Sequence, residues 1–127
     1  MDIKQLTLVI GAVLGAISVA LGAFGAHALR DVLTQNNRLE TFQTATQYLQ
    51  IHALALVAVG ILLRQTAGDV GLLQSASVAF VVGCVAFSGS LYVLAIGNVR
   101  VMGAIAPIGG VAFIIGWVLV AWWALQS

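Results

Sequence analysis

The sequence predicts an all-α integral membrane protein, a four-helix bundle with a short interfacial helix between helices one and two. Three observations predict it. Hydrophobic residues make up 61% of the chain and charged residues only 7%, against about 25% charged in soluble domains. The mean hydropathy is +1.09. Four apolar stretches, giving helices near residues 6–27, 38–64, 72–97 and 102–125, each approach the roughly 20 residues that cross a hydrocarbon core. A surface this poor in charge suits lipid, not water. At 127 residues there is no room for a separate soluble domain, so residues 1–127 read as one transmembrane domain.

The same composition excludes other classes. A formal net charge of +1 gives no basis for nucleic-acid binding. The single cysteine, Cys84, precludes an internal disulfide and offers no zinc cage. Inside an apolar run it reads as a small buried residue. Glycine-rich stretches lie in apolar runs without the strand and lysine context of a phosphate loop. No Ser/His/Asp arrangement is complete. The sequence therefore nominates no catalytic residue, no metal ligand and no cofactor, and it favours a non-enzymatic role.

The first apolar stretch, residues 6–26, carries no charge. It follows Lys4 and ends near Ala26-His27-Ala28, a small-x-small pattern like a signal cleavage site. It is much longer than the roughly 7–15 residues of a signal core, so it reads as a retained helix. Gly11, Gly15, Ser18, Gly22 and Gly25 fall on one stripe, with Ala12, Ala16, Ala20 and Ala23 beside it. Small residues let helices approach closely in lipid. The stripe predicts that this helix is the central or self-associating one.

Residues 28–33 then suggest a turn or two of amphipathic helix at the membrane surface. Asn37 followed by Glu40 fits a capping box that opens the second helix near Arg38. That helix exceeds the hydrocarbon thickness, so its first turns, with Gln43, Gln47, Tyr48 and Gln50, should stand in the interface. A short turn at 64–71 leads to the third helix, which Gly97-Asn98 stops. The fourth run contains the one proline, Pro107. Either it kinks the helix or the helix starts there with Pro in its first turn; the second reading is favoured.

With four crossings, both termini share a side with the 64–71 turn. Trp122 and Trp123 would anchor that interface, and Tyr48 and Tyr92 the other. Lys4 and Arg64 on the terminal side face Arg30, Arg38 and Arg100 opposite, which leaves the orientation open. The segment 22–52 is the polar corner, holding both histidines, Asp31, Glu40, Arg30 and Arg38. A candidate polar site therefore gathers there from His27, Gln47, Tyr48, His52, Ser88, Ser90 and Tyr92. His52 should lie at or just below the interface, within reach of His27. The pair reads first as structural, each imidazole donating to a carbonyl or side chain. The sharper alternative is haem or metal ligation or a proton relay.

Four ordered motifs carry a family resemblance: GAFGAH at 22–27, Gln47-Tyr48 with HALAL at 52–56, FSGSLY at 87–92 and APIGG at 106–110. Together they resemble the domain-of-unknown-function 423 family of small multi-pass membrane proteins, across nearly the whole chain. One departure is Ala106, where the family often has Thr. The resemblance implies a bacterial inner (plasma) membrane location and lends no activity. The expected partners are the lipid bilayer and a second copy or another membrane protein. The reading is association as a homo-oligomer or accessory subunit; the alternatives are a small transporter or channel component using His52, Gln47 and Ser90, and after it a membrane redox or lipid enzyme using His27 and His52.

Overall fold

The computed structural model describes residues 1–127 and its regular structure is entirely helical. Helix α1 spans Ile3–Ala26, α2 Arg30–Gln35 and α3 Leu39–Gln65. The third crossing is one rod in three parts: α4 (Gly71–Gly83), a π turn (Cys84–Gly89) and α5 (Ser90–Gly97). A 3₁₀ turn, Arg100–Ala104, leads into α6 (Ala106–Gln126). Four helical rods are thus long and apolar enough to cross a membrane, and the chain is a multi-pass membrane protein. Ile3 lies beside Gly71 and Gln74, and Thr66 and Asp69 lie beside Gln126 and Ser127, so both termini share one end with the α3–α4 connection.

The helix ends show how the corners are made. Asp2 caps α1 by accepting from the Gln5 backbone N–H at 2.8 Å. The capping box expected at Asn37–Glu40 does not form: the N-cap of α3 is Arg38, with no side-chain capping bond. Asn37 instead adopts the left-handed region, φ 54°, which Asn tolerates better than most residues. There it closes a Schellman motif on α2, with Arg38 N–H donating to Leu33 O at 2.8 Å and Asn37 N–H to Thr34 O at 3.1 Å. The neighbouring Asn36 Nδ2 donates to Ala95 O at 2.9 Å and Ile96 O at 3.2 Å. It thereby supplies a donor to carbonyls in the last turn of α5, which otherwise lack one. Leu33 is fully buried against Phe42 and Ala95, so α2 is a lid pinned over the bundle. Asn98, φ 53°, ends α5 in the left-handed region. Pro107 stands in the first turn of α6, where its missing N–H costs no bond.

Helix α3, not α1, is central. Half of its apolar window is buried, against 17% for α1 and 22% for the last crossing. The glycine stripe of α1 faces inward onto α3. A Cβ at Gly11 would lie 2.7 Å from Val57 N and 3.0 Å from Ala53 O. The approach is reciprocal, since a Cβ at Gly60 of α3 would lie 2.9 Å from Leu8 N. Gly25 makes room for the Phe42 ring, and a Cβ at Gly22 would meet Thr46 at ordinary van der Waals distance. Ser18 is buried and donates to Gly15 O, while a Cβ at Gly15 would meet nothing within 4 Å. Without a hydrophobic drive between helices in lipid, such backbone contact supplies dispersion energy that bulkier residues would forfeit.

The contrast between two glycines tests this packing. Gly11→Leu should destabilise the folded chain by about 1–3 kcal/mol through overpacking, seen as an early thermal transition in mild detergent. Gly15→Leu should leave that transition nearly unchanged, because the site is open.

Candidate functional site

The polar residues of the sequence gather around α3, in three arrangements at different depths. The deepest surrounds His52, the middle residue of α3. Tyr48 and His52 lie one turn apart on α3, and Phe113 and Trp117 one turn apart on α6. The His52 ring stacks on Phe113, centroids 3.6 Å apart and planes 13° apart. Phe80 meets Trp117 edge-on at 5.1 Å, and Phe87 packs on Tyr48 at 4.7 Å. Glycines admit these rings: a Cβ at Gly83 would collide with Phe113, and one at Gly116 with Phe80.

The hydrogen bonds of His52 fix its protonation. Trp117 Nε1 donates to His52 Nε2 at 3.0 Å, and indole N–H is a donor only. Nε2 is therefore the unprotonated nitrogen. His52 Nδ1 lies 2.7 Å from Tyr48 O, which only accepts, so Nδ1 carries the proton. His52 is a neutral Nδ1–H imidazole with both nitrogens engaged. Trp117 is 46% exposed near the middle of α6, where only protein can satisfy its N–H. His52 supplies that acceptor.

The second arrangement joins α3 to the third crossing. Ser88 Oγ donates to Ala45 O at 2.9 Å, a buried bond made from within the π turn. Thr46 Oγ1 donates to Phe42 O at 3.1 Å, which leaves Tyr92 as donor in its 2.7 Å contact with Thr46. Tyr92 is thus tied to α3 through its hydroxyl. A π turn carries one residue more than an α turn, and of the three hydroxyls that follow Cys84 in the rod, those of Ser88 and Tyr92 bond to α3. Cys84 is buried in the main core.

The third arrangement is a groove between the end of α1 and the first half of α3. Gly22 and Gly25 of α1, Gln43, Gln47 and Gln50 of α3, and Arg30 of α2 line it. Its volume is about 200 Å³.

The structure brings Tyr48 and His52 together, and Tyr92 with Thr46. It does not bring His27 to His52. His27 is exposed at the C-cap of α1, one residue past Ala26, and Gly25 abuts Phe42. Phe42 precedes His52 by ten residues of α3, or about 15 Å of rise. His52 moreover faces α4 and α6, so the two histidines share no site. The expected depth also changes: His52 sits mid-helix, not near the interface. Gln47 lines the groove, and Ser90 bonds back to Phe87 O at 3.0 Å. Sequence reasoning missed Phe80, Phe113 and Trp117. The repeated one-turn spacing of Tyr48/His52 and Phe113/Trp117 is the signal that was there to read.

Residues 21–110 match the family described as "Protein of unknown function (DUF423)". The UPF0382 membrane protein YwdK of Bacillus subtilis is 40% identical over 113 residues, covering 89% of this chain and 90% of that protein. The UPF0382 membrane protein SSP2132 of Staphylococcus saprophyticus is 41% identical over 88% of this chain and 90% of its own. The UPF0382 inner membrane protein YgdD of Escherichia coli K12 is 35% identical, covering 91% of this chain and 86% of its own. No solved structure matches the chain.

The bonding of His52 gives two expected outcomes. Nitrogen NMR of histidine-labelled protein should show one buried imidazole protonated at Nδ1 alone; a proton on Nε2 would refute the assignment. Trp117→Phe removes the donor and should lower stability by about 1 kcal/mol, the usual scale for interhelical bonds in a bilayer. Chemical or thermal unfolding in bicelles measures it.

Proposed function

This chain belongs to the DUF423 family of membrane proteins, and from that premise we propose that it acts by helix-mediated association in the bacterial plasma membrane, as a homo-oligomer. The observation that carries this reading is the outer face of α1. Ala12, Ala16, Ala20 and Ala23 form a ridge at helical spacing, and all four are exposed. Exposed Val13, Ile17 and Val19 flank them. The outer face of α6 differs: Ile108, Val111, Ile114, Ile115 and Val118 give it a bulky, lipid-like surface.

Small ridges bordered by β-branched side chains favour close helix pairing in lipid, because backbones approach and little rotamer entropy is lost. Two copies inserted with the same topology hold α1 parallel. Their ridges then meet across a two-fold axis, as an isologous contact requires. The inward glycine stripe is already used against α3, so the alanine ridge is the face left for a partner.

Subunit counting in bilayers, with native mass spectrometry in mild detergent, tests the reading. The unaltered chain should be oligomeric, and Ala16→Ile with Ala20→Ile should make it monomeric at unchanged melting temperature. Oligomers that survive this pair of changes would exclude the α1 face. A monomeric unaltered chain in both media would exclude self-association and leave the accessory-subunit form, with another membrane protein on the ridge.

A further inference from the structure

We propose that the groove between α1 and α3 is a headgroup site for an anionic glycerophospholipid. Arg30 is the one charged residue lining it, and no carboxylate does. Gln43, Gln47 and Gln50 follow one another on a single face of α3, at spacings of four and three. The side-chain hydrogen bonds of this region run from Thr34 to Arg30 O, from Thr46 to Phe42 O and between Tyr92 and Thr46. None of them uses the guanidinium of Arg30 or the three glutamine amides.

Depth makes those amides significant. Arg64 in the last turn of α3 marks the far interface. About 20 residues of helix cross the hydrocarbon, and counting back from Arg64 reaches residue 44. Gln43 therefore stands at the near boundary, while Gln47 and Gln50 lie one and two turns inside it. An amide left unpaired at that depth is costly. The groove requires an occupant whose polar groups descend from Arg30 into the membrane.

A glycerophospholipid has that form. Its phosphate diester suits a guanidinium that donates through a planar fork. Its ester carbonyls lie below the phosphate and accept from glutamine amides. The cavity of about 200 Å³ is below the roughly 300 Å³ at which drug-sized pockets begin. It takes the polar head and leaves the acyl chains against the apolar outer surfaces of α1 and α3. The shared chemistry is a phosphate ester, and a soluble phosphate is the other source of it.

Native mass spectrometry of the chain extracted from nanodiscs of equal phosphatidylglycerol and phosphatidylcholine decides between these. Phosphatidylglycerol should be retained preferentially. Arg30→Gln should lower that preference about fivefold, the factor expected for one arginine at a lipid surface, while Arg30→Lys should keep most of it. Gln47→Leu with Gln50→Leu should reduce retention of both lipids. Arg100→Gln, at the same end but outside the groove, should change nothing, and an equal loss there would overturn the site as general surface charge. Equal retention of the two lipids by the unaltered chain would overturn it as well. Displacement by millimolar inorganic phosphate or glycerol phosphate would overturn the lipid in favour of a soluble ligand. Arg30 is exposed and its replacement should fold. Were it not to, the unaltered chain's own lipid preference and phosphate competition still decide the question.

Discussion

Inside hydrocarbon a polar group has no water to turn to, and this chain places Thr46, His52, Ser88, Tyr92 and Trp117 where its helices cross. Each is paired across or along α3, and no buried side-chain polar atom lacks a partner. The arrangement makes α3 the hub. Its carbonyl at Ala45 receives Ser88, its hydroxyl at Thr46 receives Tyr92, and its imidazole at His52 receives Trp117. The third and fourth crossings are positioned by these bonds, and the aromatic rings fill the space between them. Remove the pairing requirement and there is little reason for a histidine at the centre of a membrane helix.

The first helix is held by other means. It makes no side-chain hydrogen bond to the rest of the bundle. It is seated by backbone approach, Gly11 onto α3 and Gly60 of α3 back onto α1. The two modes divide the molecule into a bonded, aromatic half around α3, α4 and α6 and a close-packed half along α1. Glycine serves both, since Gly83 and Gly116 make room for the rings of Phe113 and Phe80 as Gly11 makes room for backbone.

This division also locates what is left open. The bonded half satisfies its own polar atoms and presents bulky side chains to lipid. The α1 half presents an alanine ridge outward and, where α1 ends and α2 folds over the bundle, a groove with an arginine and three glutamines. The lid helix α2 is fixed at its C-terminal end, by the Schellman motif at Asn37 and by Asn36 bonding to the carbonyls of α5. Arg30, at the other end of α2, lines the groove. The alanine ridge and the groove, the two surfaces proposed for association and lipid binding, thus both belong to the α1 side of the molecule.

Much of this was legible in the chain alone. Apolar run lengths of about 20 residues and the scarcity of charge determined four crossings, a membrane solvent and the side shared by the termini, because lipid permits few alternatives. Pro107 and Asn98 marked helix ends through backbone chemistry that acts locally. Only the tertiary structure decided which small residues faced which neighbour. The stripe at Gly11, Ser18 and Gly25 read as the mark of a central or self-associating helix and proved to be the seat of α3, since one helix's periodicity does not say what lies opposite. Asn37 read as a cap for α3 and proved to be a left-handed end for α2, because the direction of the chain at that corner decides which helix it closes. His52 stood out in sequence, but its depth and its donor, Trp117, 65 residues away, depend on how α3 and α6 cross. The polar corner was visible because composition records what a segment contains. Its chemistry was not, because hydrogen bonds between crossings depend on rotation and depth that no single segment encodes.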